Sequence, residues 1–238
     1  MTNPNGPYPG RQLFLGVTID GKPAFAYLVT GRSPASRERK ATNRENSVIM
    51  GPLGDAPYDA LRHYTAVKWD DATGVLAVTN GIQTEAVYET YRLLFNIGTE
   101  PTADYIEKIM EGARHEPDSL NTPRISGVIT VQDKKLVEYV CIKRKDINAK
   151  AIAVKAQPGS LTGIATYNGD IENPTPFTGL INLPQIKFNG KNAKELADYL
   201  YKLSEVSYKG DDIRVCAVGG TYTTDAKKWS IAFVNRHN

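Results

Sequence analysis

Between Leu120 and Ile125 the chain reads LNTPRI, and three groups able to grip or polarise a ligand surround one proline: the Asn121 amide, the Thr122 hydroxyl and the Arg124 guanidinium. Pro123 fixes φ and needs no ladder N–H, so it suits the first position of a strand. Just upstream, Glu116 and Asp118 add carboxylates. A structural corner needs only a cap, whereas these groups together equally suit a ligand-facing strand mouth. In TGRSPASR, Arg32 and Arg37 with Ser33 and Ser36 suit a phosphate or a developing oxyanion, the alternative being a solvated charged loop. In RHYTAVKW, Tyr64 and Lys68 have the i, i+4 spacing that puts both on one face of a regular strand. If that face lines a pocket, phenol and ammonium can share proton transfer; otherwise the phenol packs and the ammonium is a surface charge. TNGIQTE sets Asn80 and Gly81 ahead of a helix, where they present backbone N–H groups to an anion or simply turn and cap the chain.

Absent motifs remove other chemistries. The sequence has no GxxxxGK(S/T), no GxGxxG after a strand, no GxSxG and no HExxH, so P-loop, dinucleotide, α/β-hydrolase and zincin readings lose support. His63, His115 and His237 are far apart, and Cys141 and Cys216 sit in apolar runs without a CxxC partner. Buried, inert thiols are expected, and neither a metal nor a cofactor is called for. The formal charge of +3 is spread along the chain rather than clustered, which argues against a nucleic-acid footprint. No run reaches the roughly 18 apolar residues of a membrane span, and MTNPNGPYPG lacks a signal-peptide core, so the expected location is cytoplasmic. Residues 1–10 read as a flexible, disordered or draped tail.

The elements that must position these residues are mostly hairpins. Asp20-Gly21, which favours a type I′ turn, separates two apolar runs after Arg11. Residues 32–46 lack an apolar anchor beyond two alanines and are expected as a loop; a short strand follows at 48–50, then a second hairpin through YTAVKWDDATGVLAVTNG. Helical spacing recurs over 84–95, with Thr84 as N-cap, and again around Ile106, Ile109 and Met110. A third hairpin turns at Asp133-Lys134-Lys135. Strands at AIAVKAQ and LTGIATYNG, an ordered Pro-rich loop, a helix over 193–206 and a last strand pair complete the chain. About nine or ten strands, mostly joined as hairpins, with helices inserted in two places, argue for an antiparallel α+β fold in a single domain.

Taken together, GRQLFLGV, GKPAFAYLVTGRSPASR, YTAVKW, LAVTNGIQTE, LNTPRISGVI and TGIATYNGD resemble the archaeal-type IMP cyclohydrolase family in order and near-family spacing. The resemblance covers most of residues 8–130 and returns at TGIATYNGD through NPTPF. It implies a four-layer αββα sandwich of antiparallel sheets like that of N-terminal-nucleophile hydrolases, without their processed nucleophile. It also implies dehydrative closure of 5-formamidoimidazole-4-carboxamide ribonucleotide to IMP in purine biosynthesis. Carried over by position, it puts the reactive groups on Arg37, Tyr64, Glu116 and Lys68. Arg32, Asn80, Gly81, Asn121, Thr122 and Arg124 then bind a small-molecule purine nucleotide. Neither nucleic acid nor membrane is a partner in this reading, and self-association stays open. The tail before Tyr8, the Arg-rich loop and segment 141–190 depart from the family pattern. The alternatives are a non-catalytic purine-nucleotide binder and a cyclohydrolase or amidohydrolase with a changed substrate; the last has Thr18 as the only hydroxyl in its strand.

Overall fold

The computed structural model describes residues 3–132 and 135–237. Its elements run β1 (Arg11–Val17), β2 (Pro23–Thr30), α1 (Pro34–Arg37), β3 (Arg39–Arg44), β4 (Ser47–Pro52), β5 (Tyr64–Trp69), β6 (Leu76–Thr79), α2 (Thr84–Asn96) and α3 (Ala103–Ala113). They continue β7 (Arg124–Gln132), β8 (Lys135–Lys143), β9 (Lys150–Ala153), β10 (Ser160–Ala165), β11 (Gln185–Lys187), α4 (Ala193–Leu203), β12 (Ser207–Tyr208), β13 (Asp211–Asp212), β14 (Arg214–Thr223) and β15 (Lys228–Asn235). The fold is α+β and sheet-rich. A six-stranded sheet has the order β11-β10-β1-β2-β14-β15, a seven-stranded sheet is a meander from β3 to β9, and β12 and β13 pair by themselves. Neighbouring strands pair antiparallel in both large sheets.

Alternation along the strands explains the packing. In β2, Phe25, Tyr27 and Val29 enter a core shared with Leu76, Val78, Ile125 and Ile129 of the meander, while Ala24, Ala26 and Leu28 turn to the cluster built on α4. In β7, Ile125 and Ile129 face that shared core and Val128 faces α2 and α3. Strands covered on both faces read as nearly continuous apolar runs, which is why β1 and β2 show little polar alternation in sequence. The α4 helix starts at Asn192, whose side chain accepts from the Glu195 N–H, and it buries Leu196, Leu200 and Leu203. Burying each such leucine stabilises the fold by about 1.5–3 kcal/mol. Gly219 on β14 permits this docking, since a Cβ there would lie 2.5 Å from the Ala193 carbonyl oxygen. Across the other sheet, Val87, Tyr91 and Leu94 of α2 and Ile106 and Met110 of α3 form one cluster.

Several expectations change in detail. The first hairpin forms, but its turn is not type I′: the Gly21 N–H donates to the Thr18 carbonyl, and Gly21 alone takes a left-handed φ, +82°. Residues 32–46 are not a loop throughout. Residues 39–44 form β3, an edge strand whose inward positions are Arg39 and Ala41, so the missing apolar anchor is an arginine. Gln83, not Thr84, is the α2 N-cap, and the Thr84 hydroxyl donates to the Thr65 carbonyl at 2.5 Å. The α4 helix stops at Leu203, short of Val206. Residues 3–10 are draped against the fold: the side chains of Asn3 and Gln12 exchange hydrogen bonds, and the Tyr8 N–H donates to the Gly169 carbonyl. The β7–β8 hairpin forms, but Asp133 and Lys134 of its expected turn lie outside the described residues. Among the described residues, no helix is long and apolar enough to cross a membrane. Cys141 and Cys216 are buried and unpaired, and burial raises Cys216 to about 12 and Cys141 further.

Candidate active site

Antiparallel pairing collects particular strand ends. Arg11 opens β1 beside the end of β2, and Arg124 opens β7 beside the end of β6, which runs into Asn80. The end of β10 pairs with the start of β1 and leads to Tyr167. A cleft of about 270 Å³ lies here, lined among others by Tyr8, Arg11, Arg32, Arg39, Arg62, Glu116, Asp118 and Tyr167.

Glu116 is the focus of the polar network. Only 2% exposed, its Oε1 accepts from the Arg11 guanidinium and, at 3.0 Å, from the Asn80 amide, while Arg124 Nη1 stands 4.0 Å away. Its Oε2 has no hydrogen-bond partner among the described residues, so one carboxylate oxygen is held and the other is free. Asn80, completely buried, also donates to the Pro123 carbonyl and accepts from the Ile125 N–H and Gln83 Nε2. Every polar atom of that amide is thereby used in building the site. Gly81 leaves room for its neighbour: a Cβ there would lie 2.1 Å from Arg124 Nη1 and would displace that guanidinium. Burial would lower Arg11, but Glu116, then the Tyr64 and Tyr27 phenols, hold it well above its ordinary value. Arg124 is lowered by burial, with Glu116 opposing and Arg11 reinforcing the shift.

The segment that carries Glu116 is stiff. Its N–H donates to the Thr122 carbonyl, Asp118 accepts from both the Thr122 N–H and its hydroxyl, and the Thr122 hydroxyl also meets the Tyr167 hydroxyl at 2.5 Å. Asn121 takes a left-handed φ of +47° and turns the corner through its backbone. Pro123 and Thr122 thus fix where Glu116 points.

Tyr64 is 6% exposed, its hydroxyl lies 2.8 Å from that of Tyr27, and both phenols are close enough to act on Arg11. Lys68 does not share its face. A register irregularity between β4 and β5, where Val48 pairs with Val67 but Ile49 with Thr65, inserts Ala66 and reverses the alternation. Lys68 therefore reaches Glu85 on α2 at 2.5 Å and lies over the Tyr88 ring, away from the cleft. Arg37 is also turned elsewhere: its guanidinium donates to the carbonyls of Gly31 and Arg32 and, at 2.6 Å, to Asp211. Arg32 lines the cleft and donates to the carbonyls of Ile171 and Glu172. Thr18 lies in the β1–β2 turn, where its hydroxyl donates to Asp20, at the end of β1 remote from Arg11.

The model of the family described as IMP cyclohydrolase-like protein matches residues 8–226. The chain belongs to that family. Proteins named IMP cyclohydrolase are similar to it: one from Methanocaldococcus jannaschii is 28% identical, covering 84% of this chain and 89% of that protein. One from Methanococcus maripaludis is 32% identical over 83% and 89%, and one from Methanococcus aeolicus 26% over 92% and 97%. The span matched to the IMP cyclohydrolase-like family starts at Tyr8, itself a cleft residue stacked on Tyr167 with ring centroids 5.6 Å apart. Sequence reasoning missed Arg11, Tyr27, Arg39, Arg62, Tyr8 and Tyr167. Arg11 and Tyr167 stand inside GRQLFLGV and TGIATYNGD, so those quoted motifs held a signal for them. Arg39 and Arg62 had none beyond their charge.

Proposed function

We propose that this chain is an IMP cyclohydrolase, closing 5-formamidoimidazole-4-carboxamide ribonucleotide to IMP with loss of water. Family membership and curated relatives bearing that name support the activity. The observation that carries the chemistry is the Glu116 carboxylate, with Oε1 pinned by Arg11 and Asn80 and Oε2 without a hydrogen-bond partner among the described residues, on the wall of the cleft.

In the reaction, the carboxamide nitrogen attacks the formyl carbon and a C–N bond forms. The formyl oxygen becomes a hydroxyl and departs as water, its two hydrogens coming from the carboxamide and the formamide nitrogens. Much of the acceleration comes from holding the formamide rotamer that points its carbon at the nitrogen. The free Glu116 oxygen takes the carboxamide proton. The Arg11 guanidinium, with Arg124 behind it, stabilises charge on the formyl oxygen, and the Tyr64 hydroxyl serves proton transfer to it. Asn80, Gly81, Asn121 and Thr122 build the wall, and Arg32 contacts the nucleotide. Arg37 and Lys68 act outside this set, which supports assigning them to structure.

The same reading takes the chain as one cytoplasmic domain with a four-layer αββα arrangement like that of N-terminal-nucleophile hydrolases. The shared core between two sheets, with helical clusters on their outer faces, supports it. Purified protein mixed with the formamido ribonucleotide, without folate or added metal, is expected to raise the ultraviolet absorbance of IMP. Glu116→Gln should lose about 10²-fold or more in kcat. Tight IMP binding without turnover would instead favour a nucleotide-binding protein.

A further inference from the structure

Of the four arginines lining the cleft, Arg11 is paired with Glu116 and Arg62 with Asp59 at 2.8 Å. Arg32 and Arg39 form no ion pair among the described residues. Arg39 is the more demanding case. It is 2% exposed, Nη1 donates to the Arg62 carbonyl at 3.1 Å, and Nε has no partner. The groups around it do not neutralise it: Tyr27 is raised by burial and then by Tyr64, which keeps the phenol protonated. His63 accepts the Asp59 N–H at Nδ1 and is lowered by burial, then by Arg39 and Arg62, which keeps the imidazole neutral. Cys216 is a buried thiol. The Asp118 carboxylate, also on the cleft wall, keeps its charge but is turned to the Thr122 N–H and hydroxyl and forms no ion pair with Arg39. A buried guanidinium with an unused donor and no ion-pair partner among the described residues carries a desolvation cost that an incoming anion offsets.

We propose that Arg39, with Arg32 and Ser33, forms a subsite for a phosphate monoester dianion on the cleft wall. Two guanidiniums match the planar donor geometry that phosphate oxygens accept. The Ser33 hydroxyl accepts from the Ser36 N–H at 3.2 Å and retains its own hydrogen to donate. That the ester is the 5′-phosphate of the substrate rests on the cyclohydrolase reading, whereas the anion subsite itself does not. Its occupant is either that ester or free phosphate.

The test is thermal unfolding of the full chain in inorganic phosphate against chloride at matched ionic strength, for wild type, Arg39→Met and Arg32→Met. Phosphate is expected to raise the wild-type midpoint, because a ligand bound only by the native state stabilises it. Arg39→Met should abolish that response while leaving the phosphate-free midpoint unchanged or higher, and Arg32→Met should weaken it. A wild type that phosphate does not stabilise, or a response equal in all three proteins, overturns the proposal. If Arg39→Met does not fold, loss of the response in the half-buried Arg32→Met decides in favour and its full retention decides against. Kinetics with the formamido ribonucleotide and its unphosphorylated ribonucleoside then identify the occupant. A KM raised about 10²-fold by Arg39→Met for the nucleotide alone marks the substrate's ester. A lost phosphate response with both KM values unchanged marks free phosphate. Absence of turnover in the wild type would refute the cyclohydrolase reading while the midpoints still judge the subsite.

Discussion

Tyr27 is wholly enclosed between the sheets, and among the described residues its hydroxyl has one hydrogen-bond partner, the Tyr64 hydroxyl at 2.8 Å. A buried donor without another acceptor is satisfied only by donating there, so the Tyr64 oxygen accepts and its own hydrogen stays available for transfer. Tyr64→Phe is expected to lower kcat by about 10²-fold with KM little changed. Tyr27→Phe should lower it by about 10-fold, and should add nothing further in the Tyr64→Phe background. Steady-state kinetics on the four proteins measures this coupling; independent, additive losses would show that Tyr27 acts only through packing. Glu116, Asn80 and Arg124 were legible in sequence because their motifs put polar groups where a strand alone has no use for them. Arg11 was not, since one arginine at the start of RQLFLGV reads as a strand boundary, and its meaning depends on Glu116, far away in the chain. Arg39 was hidden in a charge run.

The elements translate these residues into geometry, and β5 shows how local that control is. Its extra residue at Ala66 turns Tyr64 into the core and Lys68 onto α2, so the i, i+4 rule for a regular strand fails where a bulge intervenes. Lys68→Met is accordingly expected to leave kcat and KM unchanged and to cost about 0–1 kcal/mol, as for other partly solvated ion pairs, which denaturant unfolding would measure. The turn after β6 is less tolerant. Gly81→Ala should force Arg124 off its position, given the 2.1 Å approach, and lower kcat/KM by about 10-fold or more while the protein stays folded. Unchanged kinetics would mean that Arg124 can move without loss and would remove it from the site. Hairpins and helices were readable from periodicity and turn residues. The edge strand β3 was not, because its inward position is taken by Arg39, and an apolar-anchor criterion scores that strand as a loop.

At the scale of the whole molecule, the pairing of β14 with β2 and of β10 with β1 joins segments remote in sequence, and no local pattern encodes it. The same long-range assembly encloses Glu138. It pairs with Ile129, five residues beyond Arg124 along β7 and so about 17 Å from the cleft end of the strand. Among the described residues neither carboxylate oxygen has a hydrogen-bond partner at ordinary geometry, and burial, opposed only weakly by the Gly16 backbone, raises the group from 4.5 to about 8. Between those values the native state keeps a proton that the unfolded chain has released, so stability falls as pH rises. The contribution is complete below about 4.5, declines by about 1.4 kcal/mol per pH unit, and levels off above about 8. Glu138→Gln removes the titration. Its denaturant-measured stability should therefore lose less than that of the wild type between pH 5 and 7.5, while kcat/KM at neutral pH stays the same because the cleft is a strand's length away. Parallel stability curves for the two proteins would mean that Glu138 reaches water or a partner in solution. A fall in kcat/KM would mean that the two ends of β7 are mechanically coupled.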